Sequence, residues 1–185
     1  FGGIVVMNAD ASAAGQIVGE AVERGVNYFD VAPSYGNAEE KLGPALEPYR
    51  KDVFLACKTG QRTAEGAQKE LDKSLELMRT DRFDLYQLHG ITSVEDDVDV
   101  AFASGGAMEV LLRAKESGQV RHLGFSAHSE DAAVAIPRHW RVRGALSNRE
   151  GRFEQIIHVE EDDGWFHEEE PTNLQTRMLV DATRS

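Results

Sequence analysis

Between Ile4 and Ile136 short apolar runs alternate with amphipathic helical patterns, and this alternation limits the folds open to the chain more than any other feature. The apolar runs are residues 4–7, 26–31, 53–57, 83–88 and 120–125, and helical spacing occupies 13–24, the stretches after Asn37 and Thr63, 108–117 and 130–136. Helix-length crossovers between successive short strands require those strands to lie parallel, with right-handed connections. The expected architecture is therefore α/β: an open doubly wound sheet, or part of a (β/α)8 TIM barrel with about five βα units. Gly2 and Gly3 precede the first apolar run, so the phosphate-binding glycine turn of dinucleotide-binding sheets is missing after it and the partial barrel is favoured.

The local signals fit that reading. Ser12 is placed to cap the first helix, which carries Ile17, Ala21 and Val22 on one face and ends at Gly25. Asn37 is placed to cap the second, whose first turn holds Glu39 and Glu40 at the positive end of the helix dipole; Leu42 and Leu46 form its apolar face and Pro48 closes the unit. Thr63 opens a third helix with Ala67, Leu71, Leu75 and Met78 on one face. Gly118 suits a left-handed C-terminal stop, and Pro137 is expected to cut the last helical stretch.

A chain of 185 residues, 41% of them hydrophobic, is long enough for one well-filled core. A net charge of −12 argues against nucleic acid as a partner, because phosphate recognition needs clustered Lys and Arg. The longest apolar runs fall short of the roughly 18 residues a membrane span requires. Cys57 is the only cysteine, so neither an internal disulfide nor a thiolate zinc site is expected. Phe1 lies inside a strand-like pattern, which suggests that further residues precede it in the natural chain. Residues 137–185 break the rhythm: from Arg138 on there are seven Arg and no Lys, and seven of the ten acids cluster at 160–163 and 168–170. This part is expected to be a divergent tail, weakly structured or atypically packed.

Chemistry concentrates at strand exits. Asp30 ends the run 26–31 and Tyr35 follows in the loop broken by Pro33; Lys58 ends the next run, and His89 follows the one after. In a parallel barrel successive exits are neighbours on one rim, where ligands bind. Each residue alone has a structural role open to it: a capping acid, a loop aromatic, a solvated lysine, a hydrogen-bonded histidine. Together an acid, a phenol, an ammonium and an imidazole on consecutive exits point to catalysis.

Four stretches then carry a resemblance: Asn-Tyr-Phe-Asp-Val-Ala-Pro-Ser-Tyr-Gly (27–36), Leu-Ala-Cys-Lys-Thr (55–59), Asp-Leu-Tyr-Gln-Leu-His (84–89) and Lys-Glu-Ser-Gly-Gln-Val-Arg-His-Leu-Gly-Phe-Ser (115–126). In order and spacing, over residues 1–136, the chain resembles the aldo-keto reductase family. The resemblance implies an eight-stranded barrel that reduces a small aldehyde or ketone with NADPH, with the catalytic Asp, Tyr, Lys and His falling on Asp30, Tyr35, Lys58 and His89. It also implies a nicotinamide contact at Ser126, where the family's usual Ser-Asn pair is replaced by Ser126-Ala127 and His128 is the residue available to compensate. A phenol of ordinary pKa about 10 is too weak a proton donor at neutral pH unless its anion is stabilised. Lys58, held by Asp30, would supply that stabilisation, and His89 would orient the carbonyl.

The expected location is the cytoplasm, where NADPH is available. The family's later strands have no counterpart in 138–185, so the chain is expected to be a truncated barrel with weakened cofactor binding, open to self-association through its sheet edges. Other readings stay open. Lys58 could form a Schiff base in a lyase. His158, Glu160, Glu161, Asp162, Asp163 and His167 could attract a divalent cation, although their spacing matches no common ligand pattern, so no metal is expected. The chain could also be an inactive partial barrel that serves as an interaction module.

Overall fold

The computed structural model describes residues 1–142 and the strand 156–159. Its sheet runs β1 (Tyr28–Asp30), β2 (Phe54–Thr59), β3 (Phe83–Ile91), β4 (Val120–Ala127) and β5 (Ile156–Val159), side by side in chain order. All neighbouring pairs are parallel. A doubly wound sheet reverses its strand order at a switch point; this sheet does not, so it is a stretch of barrel wall. The helices are α1 (Ala11–Glu23), α2 (Ala38–Leu46), α3 (Ala64–Leu77), the single turn α4 (Val100–Phe102), α5 (Ala107–Glu116) and α6 (Glu130–Val142).

Register assigns the faces. Cys57 lies opposite Tyr86, and Tyr86 opposite Leu123; this row is fully buried or nearly so against Leu42, Leu71 and Leu111 of the helices. The alternate row, Lys58 opposite Gln87 opposite Gly124, lines the other face, toward the barrel axis. The apolar layer between sheet and helices thus fixes which side chains of β2 and β3 are left for chemistry.

Several element boundaries differ from expectation. Residues 4–7 are not a strand: Gly3–Val6 is a 3-10 turn, with Ile4 and Val5 exposed and Gly3 and Val6 buried, which is the period of a turn rather than of a pleat. The strand-like pairing falls earlier. The Phe1 amino group donates to Tyr28 O at 2.7 Å, Asp30 N donates to Phe1 O at 3.0 Å, and Gly2 bridges Asp30 in parallel.

Asp10, rather than Ser12, caps α1, accepting from Ala13 N at 2.8 Å, and this moves the buried face to Ala14 and Val18. Asn37 occupies the N-cap position of α2, yet its side chain turns away and accepts from Asn8 N at 2.8 Å. Thr63 caps α3 as expected, accepting from Gly66 N.

Pro137 does not end α6, which runs through it to Val142. The missing hydrogen bond costs about 3 kcal/mol in an exposed helix, but contacts on both sides hold this one. Ala132 and Ile136 are fully buried before the proline, and beyond it His139 lies 2.9 Å from Asp99 Oδ1 with its ring against Phe102. The alternation of strand and helix continues through α6 into β5, whose Ile-Ile-His-Val sequence is rich in β-branched residues. The expectation for the rest of the tail lies outside the described residues. No helix among the described residues is long and apolar enough to cross a membrane.

Candidate active site

The short strand β1 delivers Asp30 to the inner face, opposite Ala56 of β2; Lys58, two residues further on, points to the same face. Its Nζ donates to Asp30 Oδ2 at 2.6 Å and to Tyr35 Oη at 3.1 Å. Lys58 is wholly buried. Burial by itself would lower the pKa of this ammonium, but the charge and hydrogen bond of Asp30, joined by Tyr35, outweigh it and hold Lys58 above its ordinary value. The cation is therefore firmly charged beside the phenol. Among the described residues Asp30 Oδ1 is buried without a hydrogen-bond partner.

Tyr35 comes from the loop between β1 and α2. Tyr35 N donates to Ala32 O and Tyr35 O accepts from Ala38 N, both at 3.0 Å, so the residue is held between two tight turns. Gly36 follows with φ +60, a conformation that a side chain would strain. The Tyr35 ring lies with Lys58 Nζ 4.9 Å from its centroid and meets the His89 ring edge-on, centroids 5.7 Å apart at 87°. Ser34 Oγ lies 3.3 Å from His89 Nδ1. The structure thus brings Asp30, Tyr35, Lys58 and His89 into one group, as their places at strand exits foretold. His89, however, sits inside β3 rather than beyond it.

At His89 the strand carries an irregularity. Leu88 pairs with Phe125 and Ile91 with Ala127, so β3 has one residue more than β4 over this interval, and Gly90 takes φ +61. Polar groups close in from both sides. Gly90 N donates to Ser126 Oγ at 2.9 Å from β4, while Arg62 Nη2 donates to His89 O at 2.7 Å from the loop after β2. Arg62 Nε in turn donates to Asp97 Oδ1 at 2.8 Å. Asp97 Oδ2 accepts from Thr92 N at 2.8 Å and Ser93 N at 3.0 Å. Burial would raise this carboxyl, but the two N–H donors and Arg62 outweigh it and hold it below the usual carboxylate value.

Ser126 is buried on the inner face, and His128 is exposed at the same rim, its backbone N–H donating to Ile91 O at 2.9 Å. Sequence reasoning missed Arg62 and Asp97. Arg62 had only its place four residues after Lys58 to mark it, and Asp97 lies in the acidic stretch Glu95-Asp96-Asp97, which carries no motif. Among the described residues no group of three or more His, Cys, Asp or Glu could hold a metal ion; the side chains of His158, Glu160, Glu161, Asp162, Asp163 and His167 lie outside the described residues.

Comparison with known proteins gives the family. The model of the aldo/keto reductase family matches residues 4–148, beyond the 1–136 expected from the motifs. The chain is 34% identical over 139 residues to a Bacillus subtilis protein named uncharacterized oxidoreductase YqkF, covering 68% of this chain and 43% of that protein. It is 36% identical over 110 residues to methylglyoxal reductase YeaE of Escherichia coli, covering 57% and 36%. Among solved structures it is similar to the holo form of aldo-keto reductase AKR11C1 from Bacillus halodurans, with TM-score 0.66, 26% identity, and 86% of this chain and 52% of that one covered. The chain spans less than half the length of these curated relatives.

Proposed function

Because the chain belongs to the aldo-keto reductase family, which uses nicotinamide cofactors, we propose that Asp30, Tyr35, Lys58 and His89 form the catalytic group of an NADPH-dependent reductase of small aldehydes or ketones. The observation that carries this reading is the single buried ammonium, Lys58 Nζ, bonded at once to Asp30 Oδ2 and Tyr35 Oη. A proton leaving Tyr35 Oη leaves a phenolate whose charge faces Lys58 at close range. Asp30 keeps that lysine charged and aimed. The His89 imidazole, at the edge of the same ring, orients the substrate oxygen toward Tyr35 Oη. Tyr35 is then the general acid of reduction and the general base of the reverse oxidation.

Hydride is the chemistry the nicotinamide supplies when bound. Ser126 and His128, at and just beyond the end of β4, are the residues that would meet its carboxamide; Ser126 Oγ accepts from Gly90 N and His128 is exposed at the rim. The relative named methylglyoxal reductase supports a small carbonyl compound as substrate. The chain spans less than half the length of its relatives, so we further infer that it carries the proton-transfer part of the site while coenzyme affinity depends on residues beyond α6. We infer a cytoplasmic location from the proposed use of NADPH.

The test is loss of reduced-nicotinamide absorbance with NADPH and a nitrobenzaldehyde, wild type beside Tyr35→Phe. The expected loss in the variant is about 10²–10⁴-fold, the usual worth of a positioned proton donor. Equal turnover in the variant would remove Tyr35 from the mechanism. No turnover from folded wild type would favour the inactive partial barrel.

A further inference from the structure

The extra residue in β3 leaves backbone groups beside His89 without a regular ladder. Pairing between β2 and β3 stops at Thr59 opposite Leu88, and pairing with β4 slips between Leu88 and Ile91. A carbonyl stranded at such a bulge needs a donor from elsewhere. Arg62 provides one: Nη2 meets His89 O at 2.7 Å and lies 3.4 Å from Gly90 O. The opposite arm of the guanidinium, Nε, is tied to Asp97 at 2.8 Å. Only 12% of the Arg62 side chain and 17% of the Asp97 side chain are exposed. Asp97 cannot swing away either, because its other oxygen accepts from Thr92 N, Thr92 Oγ1 and Ser93 N.

The contacts form a continuous line from Asp97 through Arg62 to the His89 backbone, and from there to an imidazole that touches the edge of Tyr35. We propose that Arg62, locked by Asp97, is a positioning residue that sets the height of the His89 imidazole above the rim and so its approach to Tyr35 Oη. Charge-assisted bonds from a planar guanidinium fix direction as well as distance, which a lysine cannot do on two acceptors at once. The proposal rests on the role given above to His89. A misplacement of about 1 Å at a reacting group is enough for a large rate loss.

The experiment follows the His89 ring directly. In full-length protein with labelled histidine, the His89 imidazole resonance, assigned with His89→Asn, is compared between wild type, Arg62→Met and Arg62→Lys. The expected result is a shifted, broadened His89 signal with a weakened cross-peak to the Tyr35 ring in Arg62→Met, and partial recovery in Arg62→Lys. In turnover, kcat falls about tenfold to a hundredfold while the KM for NADPH changes little. An unchanged His89 signal in folded Arg62→Met overturns the proposal. If that variant does not fold, Asp97→Asn decides by the same signal, and an unchanged ring again overturns it. Absence of turnover in the wild type would count against the reductase reading alone, since the ring signal still reports on the clamp.

Discussion

Glu39 shows how far a single side chain can depart from its sequence reading. Its sequence reading is a charge favoured by the helix dipole in the first turn of α2, yet it is only 5% exposed and faces the outer row of β2, where the Cys57 thiol donates to its Oε1 at 3.6 Å. Burial raises its pKa; its polar neighbours Ser74 and Cys57 pull the other way without cancelling the shift. The sign of the consequence follows. The folded chain binds this proton more tightly than the unfolded chain, whose Glu39 titrates at the ordinary 4.5. Its contribution to stability is present in full below that value and is lost as pH rises through the raised folded pKa. Urea denaturation between about pH 5 and pH 8 should show stability falling with pH, and Glu39→Gln should flatten the slope. An unaltered slope in the variant would refute the assignment. The catalytic candidates were legible for a different reason: Asp30, Tyr35 and Lys58 stand at or just after strand ends, which periodicity locates, and His89 lies near the end of β3. Arg62 and Asp97 owe their roles to a bulge at Gly90, a backbone event that no pattern of residue types announces.

At the scale of elements, α2 crosses the end of α3 with backbone against backbone. A Cβ on Gly43 would lie 2.1 Å from Leu77 O and 2.7 Å from Met78 Cα, and no flexible side-chain end is there to yield. Gly15 of α1 is also helical but has nothing within 4 Å of its Cβ position. Propensity alone favours alanine over glycine in a helix by about 1 kcal/mol at either place. Sterics should therefore separate them: Gly15→Ala stabilises by about 0.5–1 kcal/mol, whereas Gly43→Ala destabilises by about 1–3 kcal/mol as α2 is pushed off α3. Chemical denaturation of the two variants checks the pair, and a Gly43→Ala protein as stable as wild type would refute the close crossing. Elements whose burial follows from their own period were readable in advance, as Thr63 and the apolar face of α3 illustrate. Those set by distant contacts were not. The turn Gly3–Val6 is packed so closely that a Cβ on Gly3 would lie 3.0 Å from Asp30 O, and α6 outlasts Pro137 because Asp99 and Phe102 engage His139.

The described residues form an arc of barrel whose inner face carries an aromatic row below the site. Tyr28 stacks on Phe54, centroids 5.2 Å apart at 11°, and Phe54 on His122 at 6.3 Å and 21°, while Tyr28 is 40% exposed. Among the described residues β1 and β5 are the two ends of the strand order, so the arc is not closed on itself. Apolar surface of this kind favours association at about 25 cal/mol per Å² removed from water. Against it stands a net charge of −12, which makes any two copies repel. The balance is set by salt, because the Debye length shrinks from about 30 Å at 0.01 M to about 3 Å at 1 M. Sedimentation velocity should therefore find a monomer at low ionic strength and larger species as salt is raised. Tyr28→Ser should weaken that association if the inner face mediates it, and leave it intact if the strand edges do. A chain that sediments as a monomer at every salt concentration would show that neither surface holds a second copy.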